Sequence, residues 1–121
     1  MIFIPRAVRI FAAVTPCNLR RSFEGLSNEV RAVLQRDPLS GHLFIFVNRR
    51  GTQVKILVWT RGGYTIVHKR LERGRFSFPS RLSAATDCIE LDVHELSMLL
   101  EGLTVSHLAA RWSPPLPARA D

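Results

Sequence analysis

The sequence predicts one α+β domain, an antiparallel β-meander of three to five strands packed with one long helix and one short helix. The first observation is a central stretch, residues 42–78, in which three apolar runs are separated by two glycine-containing turns. The second is that an apolar stripe with helical spacing precedes this stretch and a shorter one follows it. The third is the length of 121 residues, which suits one modest core rather than two.

The segment before the meander is predicted to form a strand and then the long helix. Val8 to Val14 is β-branched and apolar, which is typical of a strand, and Thr15-Pro16 ends it. Asn18 is then predicted to cap a helix from about Leu19 to Gln35, which Asp37-Pro38 stops. The apolar stripe of this helix is Leu19, Phe23, Leu26, Val30 and Val33/Leu34, and its solvated face includes Arg20, Arg21, Glu24 and Glu29.

The meander is predicted from the three apolar runs and their turns. Leu43 to Val47 is apolar at both alternating sets of positions, so it should be covered on both faces and lie centrally in the sheet. Asn48 to Thr52 is a hairpin loop in which Gly51 supplies a left-handed backbone angle. The second strand, the second turn and the third strand follow: Val54 to Thr60, Arg61-Gly62-Gly63, and Tyr64 to Leu71.

The rest of the chain predicts one strand, one helix and a tail. Cys88 to Leu91 can form a short strand, and Asp92 with Glu95 fits a capping box. The short helix that follows has the apolar stripe Val93, Leu96, Leu99, Leu100 and Leu103, and Gly102 suits its end. We expect residues 1–104 to form the domain and the proline-rich residues 105–121 to be unstructured.

The net charge of the protein is concentrated in the meander. Eight Lys or Arg and one acid, Glu72, lie between Arg49 and Arg75, a sum of +7 that equals the formal charge of the whole chain. With a pI near 11.0, polyanions are the expected partners, nucleic acid first and anionic membrane second. The alternative is a solvated basic edge that prevents aggregation between strands.

The two basic ends of the meander are the predicted nucleic-acid site. A two-stranded ribbon with arginines at its tip can enter a groove, and the planar guanidinium fork donates two parallel hydrogen bonds to phosphate. Trp59, Tyr64 and Phe76 could stack on bases, although packing against the helix is the better explanation for Trp59. The candidate residues are Arg49, Arg50, Lys55, Lys69, Arg70, Arg73 and Arg75.

The sequence predicts no catalytic residue, no metal site and no cofactor. The acids lie on a helix face, in turns and in caps, so no carboxylate cluster remains for a two-metal nuclease. His68 and His94 have no cysteine or carboxylate at ligand spacing. Gly51 and Gly62-Gly63 are turn glycines, and no nucleotide-binding glycine motif is present.

The cysteines and the N-terminal run indicate a cytoplasmic protein without a membrane partner. Cys17 and Cys88 are far apart and not in a CxxC motif, which favours reduced, buried thiols; a disulfide between them is the alternative. Pro5, Arg6 and Arg9 interrupt the apolar N-terminal run, so we expect neither a signal peptide nor a membrane span.

Four segments carry a resemblance to a known family: PCNLRRSFEGL at 16–26, DPLSGHLFIFVNRRGTQVKIL at 37–57, KRLERGRFSFP at 69–79 and LSMLLEGL at 96–103. Together they resemble the TnpB accessory proteins of the insertion-sequence-sixty-six family, which are unrelated to the RNA-guided nucleases of the same name. The resemblance implies a non-catalytic accessory role in transposition, with a separate transposase and another accessory protein as partners. All seven candidate residues match motif positions of this family.

Two hypotheses follow for the function of the chain. In the first, the protein binds DNA through the basic hairpin and the KRLERGR segment at 69–75. In the second, it is an adaptor that binds the transposase or the other accessory subunit and does not contact DNA.

Overall fold

A computed structural model describes residues 7–76 and 87–102, so the predicted tail and the segment 77–86 lie outside the described residues. The described chain forms five strands and two helices, which confirms the predicted α+β class. The elements are β1 (Ile10–Ala13), α1 (Phe23–Glu29) continued by a π-helical segment (Val30–Leu34), β2 (Leu43–Val47), β3 (Gln53–Thr60), β4 (Gly63–Arg70), β5 (Cys88–Leu91) and α2 (Val93–Leu100).

The five strands form one sheet in the order β4-β3-β2-β1-β5. β2, β3 and β4 make the predicted antiparallel meander, and β2 is the middle strand with all five residues buried, which confirms its central position. The sequence did not indicate that β1 pairs with β2 in parallel. This pairing follows from α1, because a helix between two strands carries the chain back to the end where the first strand began.

The two helices cover opposite faces of the sheet. Leu26, Val30 and Leu34 of α1 and the π-helical segment pack on Phe11, Phe44, Phe46 and Leu57. Leu96 and Leu99 of α2 pack on the other face, against Ile10, Ile45, Val54 and Ile56. The side chains on each face of β2 therefore pack against a helix, and the helices cover the faces of the sheet rather than its ends.

The first helix begins four residues later than predicted. Its N-cap is Ser22, and Asn18 instead forms a turn in which its Oδ1 accepts a hydrogen bond from the Arg20 backbone N–H at 3.0 Å. The Cys17 N–H donates to the Val47 carbonyl at 2.9 Å, which ties this turn to the end of β2. An Asn side chain satisfies backbone donors equally well in a turn or at a cap, so the residue type alone did not separate them. Phe23, predicted in the apolar stripe, is 43% exposed.

The end of the described chain agrees closely with the predictions. Asp92 Oδ1 accepts a hydrogen bond from the Glu95 N–H at 2.7 Å, and Glu95 Oε1 accepts one from the Asp92 N–H at 2.9 Å, which confirms the capping box. Gly102 has the positive φ of +84° that its place after the helix requires. Val93, predicted in the stripe of α2, is 50% exposed, and Leu103 lies outside the described residues.

The second turn of the meander has two residues rather than three. Arg61 and Gly62 both have positive φ, 38° and 86°, and Gly63 already belongs to β4. Such a turn twists in the same sense as the strands it joins.

Cys17 and Cys88 do not form a disulfide with each other, and burial raises the pKa of both thiols. In the described part of the chain, no helix is long and apolar enough to cross a membrane.

Candidate nucleic-acid interface

The two predicted basic ends of the meander meet in the fold. After β4 the chain turns back along the hairpin loop: the Leu71 N–H donates to the Thr52 carbonyl at 2.8 Å, and the Phe76 N–H donates to the Gly51 carbonyl at 2.7 Å. Phe76 is buried in the core on the α2 face, which anchors this return. Residues 72–75 therefore form a loop beside the hairpin tip. We call the surface made by Arg49, Arg50, Arg73 and Arg75 the basic end.

The hairpin loop that carries Arg49 and Arg50 is held by a network around Asn48. Asn48 Oδ1 accepts hydrogen bonds from the backbone N–H groups of Thr52 at 2.8 Å and Gln53 at 3.0 Å, and its Nδ2 donates to Thr52 Oγ1 at 3.1 Å. Both arginines are exposed at the tip of this loop. Their backbone is therefore fixed before any ligand binds, which lowers the conformational entropy lost on binding.

Two recesses flank the hairpin tip. An open cleft of about 520 Å³ lies between the turn at Asn18 and the hairpin loop, and Arg20, Arg49 and Arg50 are among its lining residues. A smaller hollow of about 210 Å³ is lined by Arg49, Arg50 and Arg75. We call the larger recess the arginine cleft. Arg20 was predicted to lie on the solvated face of the long helix, but this helix begins only at Phe23, so Arg20 belongs to the turn before it.

The arginines around the tip form no ion pair with an acid among the described residues. Within residues 7–76 and 87–102, the guanidinium groups of the basic end and of Arg20 make no hydrogen bond or ion pair. Some arginines elsewhere are paired: Arg9 forms two hydrogen bonds with Glu90, and Arg21 pairs with Glu29 at 3.0 Å. Arg49, Arg50, Arg73 and Arg75 thus form a group of unpaired arginines at one end of the sheet, while Arg31 and Arg61 lie elsewhere without an ion pair among the described residues.

The other three candidate residues have partners inside the protein. Lys55 Nζ donates to the Arg21 carbonyl at 2.9 Å, Lys69 Nζ donates to the Leu100 carbonyl, and Arg70 pairs with Glu72 at 3.2 Å. The fold therefore gathers four of the seven candidates at the basic end and gives the remaining three a structural contact. A role of these three in binding nucleic acid stays a prediction.

Replacing Lys69 with alanine should lower stability. Lys69 Nζ lies 2.6 Å from the carbonyl oxygen of Leu100, the last residue of α2, where the helix dipole favours a cation. We expect the free energy of unfolding to fall by about 1 kcal/mol in urea denaturation. Arg73→Ala is the control, and an equal loss in both variants would contradict a specific role for Lys69.

The aromatic residues are not placed to stack on bases at the basic end. Phe76 is 3% exposed, so its predicted stacking role is wrong: the ring is needed in the core. Trp59 packs edge-on against Tyr64, with ring centroids 4.9 Å apart, at the end of the ribbon away from the hairpin loop. Any contact with nucleic acid at the basic end would therefore rest on charge and hydrogen bonds.

His68 lies between basic groups on β4. Its Nε2 is 2.8 Å from Gln53 Oε1, and burial, followed by the charges of Lys55 and Arg70, lowers the pKa of His68 below its usual value of 6.5. The imidazole is therefore neutral at physiological pH and adds no charge to the surface.

Replacing Gly51 with alanine should disconnect the two parts of the basic end. Gly51 has φ +73°, and an added Cβ would lie 3.0 Å from the Phe76 carbonyl oxygen. Phe76 is already held at this place, because its N–H donates to the Gly51 carbonyl. The strain and the close contact should reduce the free energy of unfolding by about 1–3 kcal/mol. Urea denaturation measures this loss, and Gly62→Ala, where the new Cβ meets nothing within 4 Å, separates the contact from the effect of positive φ.

No metal centre accompanies this surface in the described residues. No group of three or more His, Cys, Asp or Glu in residues 7–76 and 87–102 could hold a metal ion. The site consists of arginine side chains on a rigid loop, with amide and hydroxyl groups around them.

The fold and the site thus define a small basic α+β protein whose distinctive feature is a cluster of exposed arginines. A family model described as "IS66 Orf2 like protein" matches residues 8–110, and the chain belongs to this family. It is 37% identical to "Uncharacterized protein y4hO" of Sinorhizobium fredii over 88% of this chain and 90% of that protein. It is 33% identical to "Uncharacterized protein y4jC" of the same organism, over 85% of this chain and 86% of that protein.

No solved structure matches the chain. Membership of the family gives the protein an accessory role in insertion-sequence transposition, and the family is not a nuclease family.

Proposed function

We propose that the protein serves transposition by binding DNA through the basic end and does not itself catalyse a reaction. The observation that carries the proposal is the meeting of Arg49, Arg50, Arg73 and Arg75 on one surface, where none of the four guanidinium groups is paired with an acid among the described residues. Phosphate groups of DNA are the abundant ligands that match such a surface in charge and in hydrogen-bonding geometry.

The placement of the four arginines suits a nucleic-acid backbone. Two of them lie at the tip of a hairpin loop and two lie on the loop packed beside it, so an elongated anion could contact several at once. Contact with phosphates positions a protein on DNA without reading sequence. We therefore expect general affinity for DNA from these four residues, without strong sequence preference.

A salt titration tests this proposal. With four phosphate contacts on duplex DNA, the logarithm of the affinity should fall against the logarithm of salt concentration with a slope of about −3.6. Fluorescence anisotropy with a labelled duplex of mixed sequence measures the slope. No binding at low salt, or affinity that does not change with salt, would contradict DNA binding through the basic end.

The adaptor function is the second candidate, favoured by a different observation. β4 is an outermost strand of the described sheet, and one edge of its eight residues has no pairing strand among the described residues. A strand of another protein could extend the sheet there. Pull-down from the separately expressed transposase or other accessory protein, with nuclease added, tests this: a complex that survives the nuclease does not depend on DNA.

A further inference from the structure

We infer that the arginine cleft holds one nucleotide of a single-stranded nucleic-acid segment, with its phosphate between Arg20 and the Arg49–Arg50 pair. The inference rests on the proposed function, because the arginine cleft lies next to the basic end and would bind a further part of the same nucleic acid. Its basis is separate, because the cleft includes a wall, the turn at Asn18, that the basic end does not use.

The size of the cleft favours a nucleotide over a duplex. Its volume of about 520 Å³ falls within the range of pockets that hold small ligands, and it is too small to admit a double helix. Arg20 lies on one wall, while Arg49 and Arg50 lie on the other. An anion inside would be contacted from two sides, whereas a duplex resting on the rim would reach mainly the hairpin side.

Both walls of the cleft are held in place without a ligand. The turn at Asn18 is tied to β2 by the hydrogen bond between Cys17 and Val47, and the opposite loop is held by the Asn48 network. The separation of the arginines therefore does not depend on a bound group to organise it.

The hydrogen-bonding groups of the cleft are mostly donors. The side-chain oxygen of Asn18 already accepts from the Arg20 N–H, that of Asn48 accepts from two backbone N–H groups, and that of Gln53 bonds to His68. The side-chain amide N–H groups of Asn18 and Gln53 have no partner within the described residues. No acid is among the lining residues. A ligand rich in acceptors, such as a phosphate with its sugar and base oxygens, complements this lining.

Fluorescence anisotropy with two DNA probes tests the inference. One probe is a blunt duplex, and the other is the same duplex with a short single-stranded thymidine overhang. One extra single-strand phosphate contact should make wild type bind the overhang probe about fivefold more tightly near 0.1 M salt. Arg20→Ala should bring the ratio of the two affinities to about one, whereas Arg73→Ala, outside the cleft, should weaken binding to both probes and keep the ratio.

Equal affinity of wild type for both probes, or a ratio unchanged in Arg20→Ala, would overturn the inference. Its failure can be told apart from that of the proposed function by titrating ¹⁵N-labelled protein with the 5′-phosphorylated dinucleotide pTpT. Chemical-shift changes confined to residues 17–20 and 48–53 would support the cleft even if the blunt duplex does not bind. Absence of such changes would refute the cleft even if the duplex binds strongly.

Discussion

The double variant Arg49→Ala/Arg50→Ala is expected to bind duplex DNA on the order of 60-fold more weakly than wild type near 0.1 M salt. Each phosphate contact adds about 0.9 to the slope of log affinity against log salt concentration. Between 1 M and 0.1 M salt this corresponds to about eightfold in affinity for one contact, and to about 60-fold for two contacts, because their factors multiply. The same variant should lower the slope of the salt titration by about 1.8. Both side chains are exposed at the loop tip, so the fold should persist, and circular dichroism can verify this.

The control for this variant removes the same number of charges elsewhere. Arg31 is exposed and makes only a 3.4 Å hydrogen bond to Asn28, while Arg61 has φ 38° in a turn where glycine fits without strain. Arg31→Ala/Arg61→Gly should keep most of the affinity and the slope. If the two double variants lose affinity equally, net charge alone drives binding and the basic end has no special role.

Phe44→Ala is expected to cause the largest loss of stability. Phe44 is 0% exposed on the middle strand and stacks on Phe11 with ring centroids 5.9 Å apart. Truncating a buried phenylalanine costs about 3–5 kcal/mol, since it removes apolar burial and leaves a cavity. That is a large part of the 5–15 kcal/mol that typically stabilises a domain, so urea denaturation should show a much lower midpoint or an unfolded protein.

Phe23→Ala is the matched control, because it removes the same side chain from a half-exposed position. Phe23 lies at the start of α1 and is 43% exposed, so its loss should change the free energy of unfolding by less than about 1 kcal/mol. A loss as large as that of Phe44→Ala would show that Phe23 belongs to the core.

The elements that could be predicted from the sequence are those set by local patterns. The doubly apolar run at 43–47 indicated a central strand because side chains alternate between faces, whatever the rest of the fold does. The capping box of Asp92 and Glu95 and the left-handed turn at Gly51 depend on neighbours within a few residues. These features are confirmed.

The features that could not be predicted depend on contacts between distant segments. The start of α1 is displaced because the Cys17 N–H, beside the Asn18 turn, donates to the carbonyl of Val47, which lies 30 residues along the chain. Tertiary contacts also determine that β1 pairs with β2 in parallel and that the two helices lie on opposite faces of the sheet. Hydrophobic spacing alone indicates that a helix exists but does not indicate its first residue or its partner face.

The candidate site likewise has features that the sequence predicts and features that it does not. The arginine-rich segments are evident from the sequence, because charge can be read from it directly. It could not indicate that residues 72–75 return to the hairpin tip, because that contact depends on the hydrogen bonds of Gly51 and Thr52. Nor could it separate Lys69, which reaches the end of α2 across the fold, from arginines that face solvent. Arg20 could not be assigned to the arginine cleft from the sequence, because that assignment depends on α1 beginning at Phe23 rather than at Leu19.

The most direct test of DNA binding by the basic end is a titration of ¹⁵N-labelled protein with a mixed-sequence duplex, followed by two-dimensional NMR of backbone and arginine side-chain N–H groups. Binding through the basic end predicts the largest shift changes at residues 49–52 and 72–75, with little change in α2 or at the turn of Arg61 and Gly62. Changes centred on α2 or on that turn, or none at low salt, would contradict the account.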